Sequence, residues 1–406
     1  MSSLQDRYAH SLMNTFGPPR LVLVRGAGCY VWDDAGNRYL DMLAGIAVNA
    51  LGHAHPAVVH AVHDQMSSLG HISNFFASEP QVALAERLLT LLGAGDGRVF
   101  FTNSGTEANE SAFKIARRTG RSRVVAANGG FHGRTMGSLS LTAKASYREP
   151  FEPLPGDVTF VDFGIGAALA AAVDEDTAAI VLEPIQGEAG VIPAPTGYLE
   201  EARRIADAHG ALLWLDEVQT GVGRTGRWFA HQGVGVRPDI VTLAKGLGGG
   251  YPIGACIGLG RAAGLLGPGQ HGSTFGGNPP AAAAALAVLD TIEGECLLDN
   301  ARLVGAHLTG ALTGLRHPAV REVRGEGLLI GVQLHDAIAS QVAMAALEEG
   351  LIINDCTPDT LRIAPALNVR REQADELIAL LPGLLDQATA GRAIDREMAV
   401  MHESTS

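Results

Sequence analysis

The stretch 239-DIVTLAKGLGGGYPIG-254 decides how this chain is read. An apolar run from Ile240 to Ala244 ends in a lysine, and four glycines follow within five residues. Of the 30 lysines and arginines only three are lysine (Lys114, Lys144, Lys245), so wherever a solvated positive charge suffices this sequence uses arginine. Lysine offers what arginine cannot. Its pKa falls from about 10.4 in a desolvating site, and the neutral amine is a nucleophile for carbonyls.

Further apolar runs lie on either side: 98-RVFFT-102, 123-RVVAA-127, 178-AAIVLE-183, 211-ALLWLD-216 and 254-GACIGL-259. Between them stand helical patterns, 78-SEPQVALAERLLTLL-92 with Ser78 as its cap, 105-GTEANESAFKIARRTG-120 and 197-GYLEEARRIADAHG-210. Strands buried on both faces and separated by helices predict an α/β fold with a mostly parallel, doubly wound sheet. In such sheets ligands sit beyond the carboxyl ends of the strands. The ends of the chain read differently. Residues 20–42 suggest a strand pair with turns at Gly26 and Gly36, 320-VREVRGEGLLIGVQL-334 another hairpin, and 371-REQADELIALLPGLLDQA-388 an amphipathic helix. They predict a smaller α+β domain from both termini, residues 1–65 and 281–406, around a large domain of residues 66–280.

A net charge of −13 argues against a nucleic-acid or anionic-membrane surface as the main partner. The four cysteines (Cys29, Cys256, Cys296, Cys356) show no C-x-x-C spacing and read as reduced thiols of a cytoplasmic protein. No signal-peptide core is evident at the N-terminus, and no run reaches the roughly 18 apolar residues of a membrane-spanning helix.

The strand ends carry the chemistry. After 98-RVFFT-102 comes 103-NSGTEANE-110, where Ser104, Gly105 and Thr106 form either a plain N-cap or a phosphate site at a helix N-terminus. In 129-GGFHGRT-135, Phe131 is either a core aromatic or a stacking partner for a flat ring, and Arg134 either a surface charge or a carboxylate fork. Asp216 closes an apolar strand and needs a cationic partner, with Gln219 three residues on. The loop 271-HGSTFGGNP-279 adds Ser273 and Thr274. One ligand, pyridoxal 5'-phosphate, asks for a phosphate cradle, an aromatic stacker, a carboxylate, an amide and a lysine together.

These blocks, with 183-EPIQGEAG-190, 216-DEVQTGVGRTG-226 and 242-TLAKGLGGGYPIGA-255, resemble the class III (ornithine-type) aminotransferases of pyridoxal-phosphate fold type I, from about residue 10 to about residue 385. The resemblance implies that Lys245 joins the cofactor's aldehyde and moves protons. By it, Gly105 and Thr106 hold the phosphate, Phe131 stacks on the ring, Asp216 pairs with the ring nitrogen, Val218 packs behind it and Gln219 contacts the phenolic oxygen. Thr274 would reach the phosphate of a neighbouring subunit, which implies a homodimer with shared sites. Arg134, Arg362, Glu188 and Ser273 become substrate-binding residues. Arg362 takes the α-carboxylate of glutamate, and Glu188 neutralises Arg362 in the other half-reaction. Members of the family use acetylornithine, ornithine, succinylornithine or 4-aminobutyrate, paired with glutamate and 2-oxoglutarate. Those acting on free ornithine carry tyrosines near the places of Phe16 and Ile46, so the more apolar wall here favours an acylated donor, N2-acetylornithine, as does the wording GIAVN at 45–49.

Two other readings compete. The match 221-GVGRTG-226 to G-x-G-x-x-G suggests a nicotinamide oxidoreductase, but it opens no helical pattern. The histidines of 53-HAHPAVVHAVH-63 suggest zinc, but lack a completing ligand other than Asp64, so no metal is expected. A non-enzymatic, regulatory reading requires a missing catalytic group or an added DNA-binding module, and the sequence has neither.

Overall fold

The computed structural model describes residues 3–403, with side chains through residue 391. Its centre is a seven-stranded sheet of β1 (Arg98–Thr102), β2 (Arg123–Ala127), β3 (Asp157–Val161), β4 (Thr177–Leu182), β5 (Leu212–Asp216), β6 (Ile240–Leu243) and β7 (Gly254–Gly258). The order across the sheet is β1-β7-β6-β5-β4-β2-β3. Only β7 runs antiparallel to its neighbours. Strand β3 escapes a reading for apolar runs because 157-DVTFV-161 is an edge strand, only partly buried.

The period-two rule places alternate side chains on opposite faces. Leu212 and Trp214 join the cluster under helix Gly105–Arg117, while Leu213 and Leu215 join that under helix Tyr198–His209. With both faces covered, polar groups are tolerated mainly at strand ends, which is where the site forms.

Both ends of the chain meet in one four-stranded sheet. Leu23–Ala27, Tyr30–Asp33 and Arg38–Asp41 form a meander, and Leu351–Ile352 adds parallel to its last strand. This corrects the expected strand pair. Gly26 lies within the first strand, where a Cβ would meet His53 at 2.5 Å, and the chain reverses at Gly28. The hairpin at 320–334 is present as Val320–Glu326 and Leu329–Leu334, extended by Thr360–Ile363 and Asn354–Thr357. The anticipated boundary at 280/281 falls inside helix Pro279–Gly294, which packs on helices Pro56–Ser68 and Glu79–Leu92. The C-terminal helix runs Arg371–Glu403, with Pro382 inside it.

Ser78 does not cap its helix. Among the described residues its buried hydroxyl has no partner; Pro80 removes one of the two N–H donors a cap would use. The segment 221–226 forms turns and opens no helix. Its Arg224 is buried and donates to the carbonyls of Leu328 (3.1 Å) and Pro365, tying the large sheet to the C-terminal hairpin. Burial pushes its pKa down to about 10. In the histidine run, His53 pairs with Asp41 at 2.8 Å, and His60 and His63 are exposed on helix Pro56–Ser68.

Arg224→Met fills the stem's volume but leaves two buried carbonyls unpaired. It is expected to lower unfolding stability by about 2–4 kcal/mol, read as a lower urea midpoint at unchanged slope.

Candidate active site at the carboxyl edge of the sheet

A cavity of about 430 Å³ opens beyond the carboxyl ends of β1, β5 and β6. Its walls include Ser104, Gly105, Thr106, Phe131, Arg134, Asp216, Val218, Gln219 and Lys245. Glu188 and Arg362 adjoin it through Gln219. Ser273 and Thr274 do not line it. They border a separate, larger cavity of about 1100 Å³, and the Ser273 hydroxyl accepts from Gly276 N (2.9 Å) and Asn103 Nδ2 (3.2 Å). Phe16 is 90 % exposed, and neither it nor Ile46 lines the cavity; Val48 is the residue from that apolar segment that does.

Lys245 sits one residue beyond Ala244, at the mouth of β6, with φ +43. This left-handed conformation costs a non-glycine residue about 1 kcal/mol or more and persists only where surrounding packing enforces it. Nζ has no hydrogen-bond or ion-pair partner among the described residues. Burial pulls the amine's pKa down to about 8, against the raising influence of Glu188, Glu183 and Asp216 and with the help of Arg362.

Helix Gly105–Arg117 aims its N-terminus at the cavity. Ser104 caps it, its hydroxyl accepting from Glu107 N at 3.3 Å, and the N–H groups of Gly105 and Thr106 remain free of intrahelical partners. Close approach fixes two glycines here. A Cβ on Gly105 would stand 2.8 Å from Val218, and one on Gly133 2.2 Å from the Thr106 hydroxyl. Thr106 is held by Thr135 (2.7 Å), which in turn donates to Glu110 (2.5 Å).

Asp216 is almost fully buried, and its neighbours answer the need for a partner. His132 Nδ1 lies 2.8 Å from Oδ2, Asn109 Nδ2 donates to the same oxygen at 2.8 Å, and Val218 N donates to Oδ1 at 3.0 Å. Burial works against an imidazolium at His132, yet its hydrogen bond to Asp216 and the charges of Asp216 and Glu183 raise its pKa. Sequence reasoning gave His132 and Asn109 no role, although both stand inside the quoted motifs. The signal was Asp216's unmet need for a cation. Glu183, beyond β4, accepts from Phe131 N (2.9 Å) and Gly187 N (3.3 Å) and is pushed up to about 7, chiefly by burial.

Arg362, 1 % exposed on strand Thr360–Ile363, makes a 2.5 Å ion pair with Glu188 and donates to Gln219 Oε1 (3.0 Å) and Asn354 Oδ1 (2.7 and 3.1 Å). Burial alone would raise the Glu188 carboxyl, but Arg362 and Lys245 hold it below its ordinary value. Arg134 is exposed and has no ion-pair partner among the described residues. Its guanidinium lies 3.4 Å from the ring centre of Tyr147.

An unpartnered amine, a helix N-terminus approached without Cβ obstruction, an aromatic wall at Phe131 and a buried carboxylate fit pyridoxal phosphate. Residues 13–385 match the family Aminotransferase class-III, and the chain belongs to that family of pyridoxal-phosphate-dependent aminotransferases. It is 59 % identical over 386 residues to an acetylornithine aminotransferase of Streptomyces coelicolor, covering 95 % of this chain and 96 % of that one. To that of Mycobacterium tuberculosis it is 54 % identical over 388 residues, covering 95 % and 97 %. Among solved structures, an ornithine aminotransferase from Toxoplasma gondii superposes with a TM-score of 0.91 at 32 % identity, covering 96 % of this chain and 95 % of that one. A transaminase from the marine bacterium Virgibacillus gives 0.92 at 27 % identity, covering 96 % and 100 %.

With Lys245 titrating near 8, capture of pyridoxal phosphate by the cofactor-free protein is expected to quicken about tenfold per pH unit below that value and to level off above it. Stopped-flow absorbance measures this. A midpoint above about 10, that of a solvated lysine, contradicts desolvation at Lys245.

Proposed function

We propose that this aminotransferase moves the ω-amino group of N2-acetylornithine to 2-oxoglutarate, giving N-acetylglutamate 5-semialdehyde and glutamate, a step of arginine biosynthesis. The observation that carries this is the level of identity. Relatives named acetylornithine aminotransferase match across nearly the whole chain at 51–59 %, whereas the structurally similar ornithine aminotransferases lie at 30–32 %. The chain's wall residue Val48 is apolar, in keeping with an acylated, uncharged amine.

Bound pyridoxal phosphate supplies an electron sink for bond-breaking at the carbon that bears the amine. Gly105 and Thr106, with Ser104 capping their helix, would hold its phosphate; Phe131 and Val218 would pack against its ring, and Gln219 would meet its phenolic oxygen. Asp216, fixed by His132 and Asn109, would hold the ring nitrogen protonated. Lys245 takes and returns the proton at the reacting carbon. Arg134 receives the α-carboxylate of the acylated donor or the distal carboxylate of glutamate. Arg362 receives the α-carboxylate of glutamate once Glu188 turns away.

The enzyme works as a cytoplasmic homodimer on small molecules, with Thr274 reaching the partner's phosphate and Ser273 standing beside the partner's substrate. Three observations support shared sites. Phe75, Phe76 and Phe275 are 93 %, 68 % and 59 % exposed, more apolar surface than a monomer usually leaves open. Asn74 ties their two loops together through the carbonyls of Ser273 and Gly276. Thr274 is exposed and borders the larger cavity, not the cofactor cavity of its own chain. Four free cysteines, and the absence among the described residues of a helix long and apolar enough to cross a membrane, accord with the cytoplasmic reading.

Steady-state assays over acetylornithine, ornithine, succinylornithine and 4-aminobutyrate are expected to give the highest kcat/KM for acetylornithine; a higher value for free ornithine overturns the substrate assignment. Lys245→Ala should abolish turnover and leave no borohydride-fixed label on the chain. Mixing Lys245→Ala with Thr274→Ala subunits should restore activity, because each hybrid dimer then contains one intact site. Two inactive proteins that stay inactive after subunit exchange would rule out sharing through Thr274.

A further inference from the structure

Behind Phe131 lies a second cavity of about 360 Å³, lined in part by Lys144, Tyr147, Glu188 and Thr357. Phe131 walls both this space and the cofactor cavity. Tyr147 stands edge-on to the Phe131 ring, with centroids 6.4 Å apart. Two cations converge on Tyr147. The Arg134 guanidinium lies 3.4 Å from its ring centre, and Lys144 Nζ lies 4.5 Å from that centre and 3.3 Å from the phenolic oxygen. Neither cation has a carboxylate within ion-pair distance among the described residues. Lys144 is one of three lysines, and Lys245 and Lys114 have other surroundings: the cofactor cavity, and the loop at Gln270 and His271.

Two like charges held on one aromatic ring repel each other, and each gives up part of its hydration to the ring. An arriving anion relieves that repulsion. We infer that Lys144 and Tyr147 build, with Arg134, a carboxylate clamp for the end of the substrate that does not react. Tyr147 is a positioning residue, a platform that keeps the guanidinium over the cavity mouth, and Lys144 supplies the second charge. The chemistry is that of a carboxylate remote from the reacting carbon. This rests on the aminotransferase reading and adds to it residues that decide which substrates bind well. The two sources of such a group are the distal carboxylate of 2-oxoglutarate and the α-carboxylate of the acylated donor.

The test starts from holoenzyme converted to its pyridoxamine form, so that the acceptor half-reaction is followed whichever donor the enzyme prefers. Lys144→Gln, at an exposed position, is expected to raise the concentration of 2-oxoglutarate giving half-maximal rate roughly fivefold, the size of a partly exposed ion pair. The limiting rate should hold, and pyruvate, which has no distal carboxylate, should be unaffected. Tyr147→Leu should reproduce the loss, and Tyr147→Phe, which keeps the platform for Arg134, should recover most of it. In the donor arm, a loss with N2-acetylornithine but not with N-acetylputrescine extends the clamp to the donor; no loss with either leaves it to the keto acid. An unchanged half-saturation for 2-oxoglutarate in Lys144→Gln, or an equal rise with pyruvate, overturns the inference. Failure to use acetylornithine overturns only the donor assignment.

Discussion

The ion pair between the buried Arg362 and the partly exposed Glu188 is the contact on which the geometry of the site depends. Arg362 comes from the C-terminal sheet, Glu188 from the loop after β4, and 174 positions separate them. A guanidinium this deeply enclosed is tolerated only when its donors are met, because an uncompensated buried charge costs about 3–5 kcal/mol. Asn354 and Gln219 accept three more of its five N–H groups. The pair therefore does two things. It closes strand Thr360–Ile363 onto the large sheet, and it engages the acid whose charge acts most strongly on Lys245.

Burial is the main reason the amine can be neutral, and that second effect assists it. Lys245 feels three carboxylates, but Arg362 opposes them and burial exceeds them all, so its pKa falls from the model-peptide 10.5 to about 8. The displacement is worth roughly 3 kcal/mol of preference for the uncharged form. Arginine at this position would remain charged under the same desolvation, as Arg224 illustrates: it is buried with no ion-pair partner among the described residues, and burial lowers it only to about 10.

Much of this was legible in the sequence because the central strands are buried on both faces. A doubly covered strand must be apolar throughout, so a lone Asp216 or Lys245 at its end stands out. Strand β3 lies at the sheet edge, where Asp157 and Thr159 are tolerated, and its signal disappears. Gly26 was misread as a turn because a glycine demanded by close approach, here to His53, looks the same in sequence as one demanded by a positive φ. His132 and Asn109 were invisible as partners for a different reason. They lie 84 and 107 positions from Asp216; helix Gly105–Arg117, crossing the sheet, brings Asn109 to it, and the loop after β2 brings His132. Ser273 and Thr274 were legible as a polar loop, but where a loop points depends on packing that no local pattern records.

The construction around Glu188 bears on how one site accepts two unlike substrates under the proposed function. Uncovering Arg362 without replacement would leave a buried cation alone, so Glu188 yields only when another carboxylate arrives; the substrate's own charge has to drive the exchange. The backbone confines that exchange to a side chain. Gly187 N–H is anchored on Glu183, and a Cβ at Gly187 would strike Gln219 at 2.4 Å, which leaves that turn little room to shift. The Glu188 side chain itself keeps 34 % of its surface open. An acylated donor, presenting no charge to Arg362, finds it already neutralised and spends no binding energy on moving Glu188. Glutamate presents a carboxylate and displaces one of equal charge, so the two half-reactions differ in the position of one acid while the buried charge of the site stays constant.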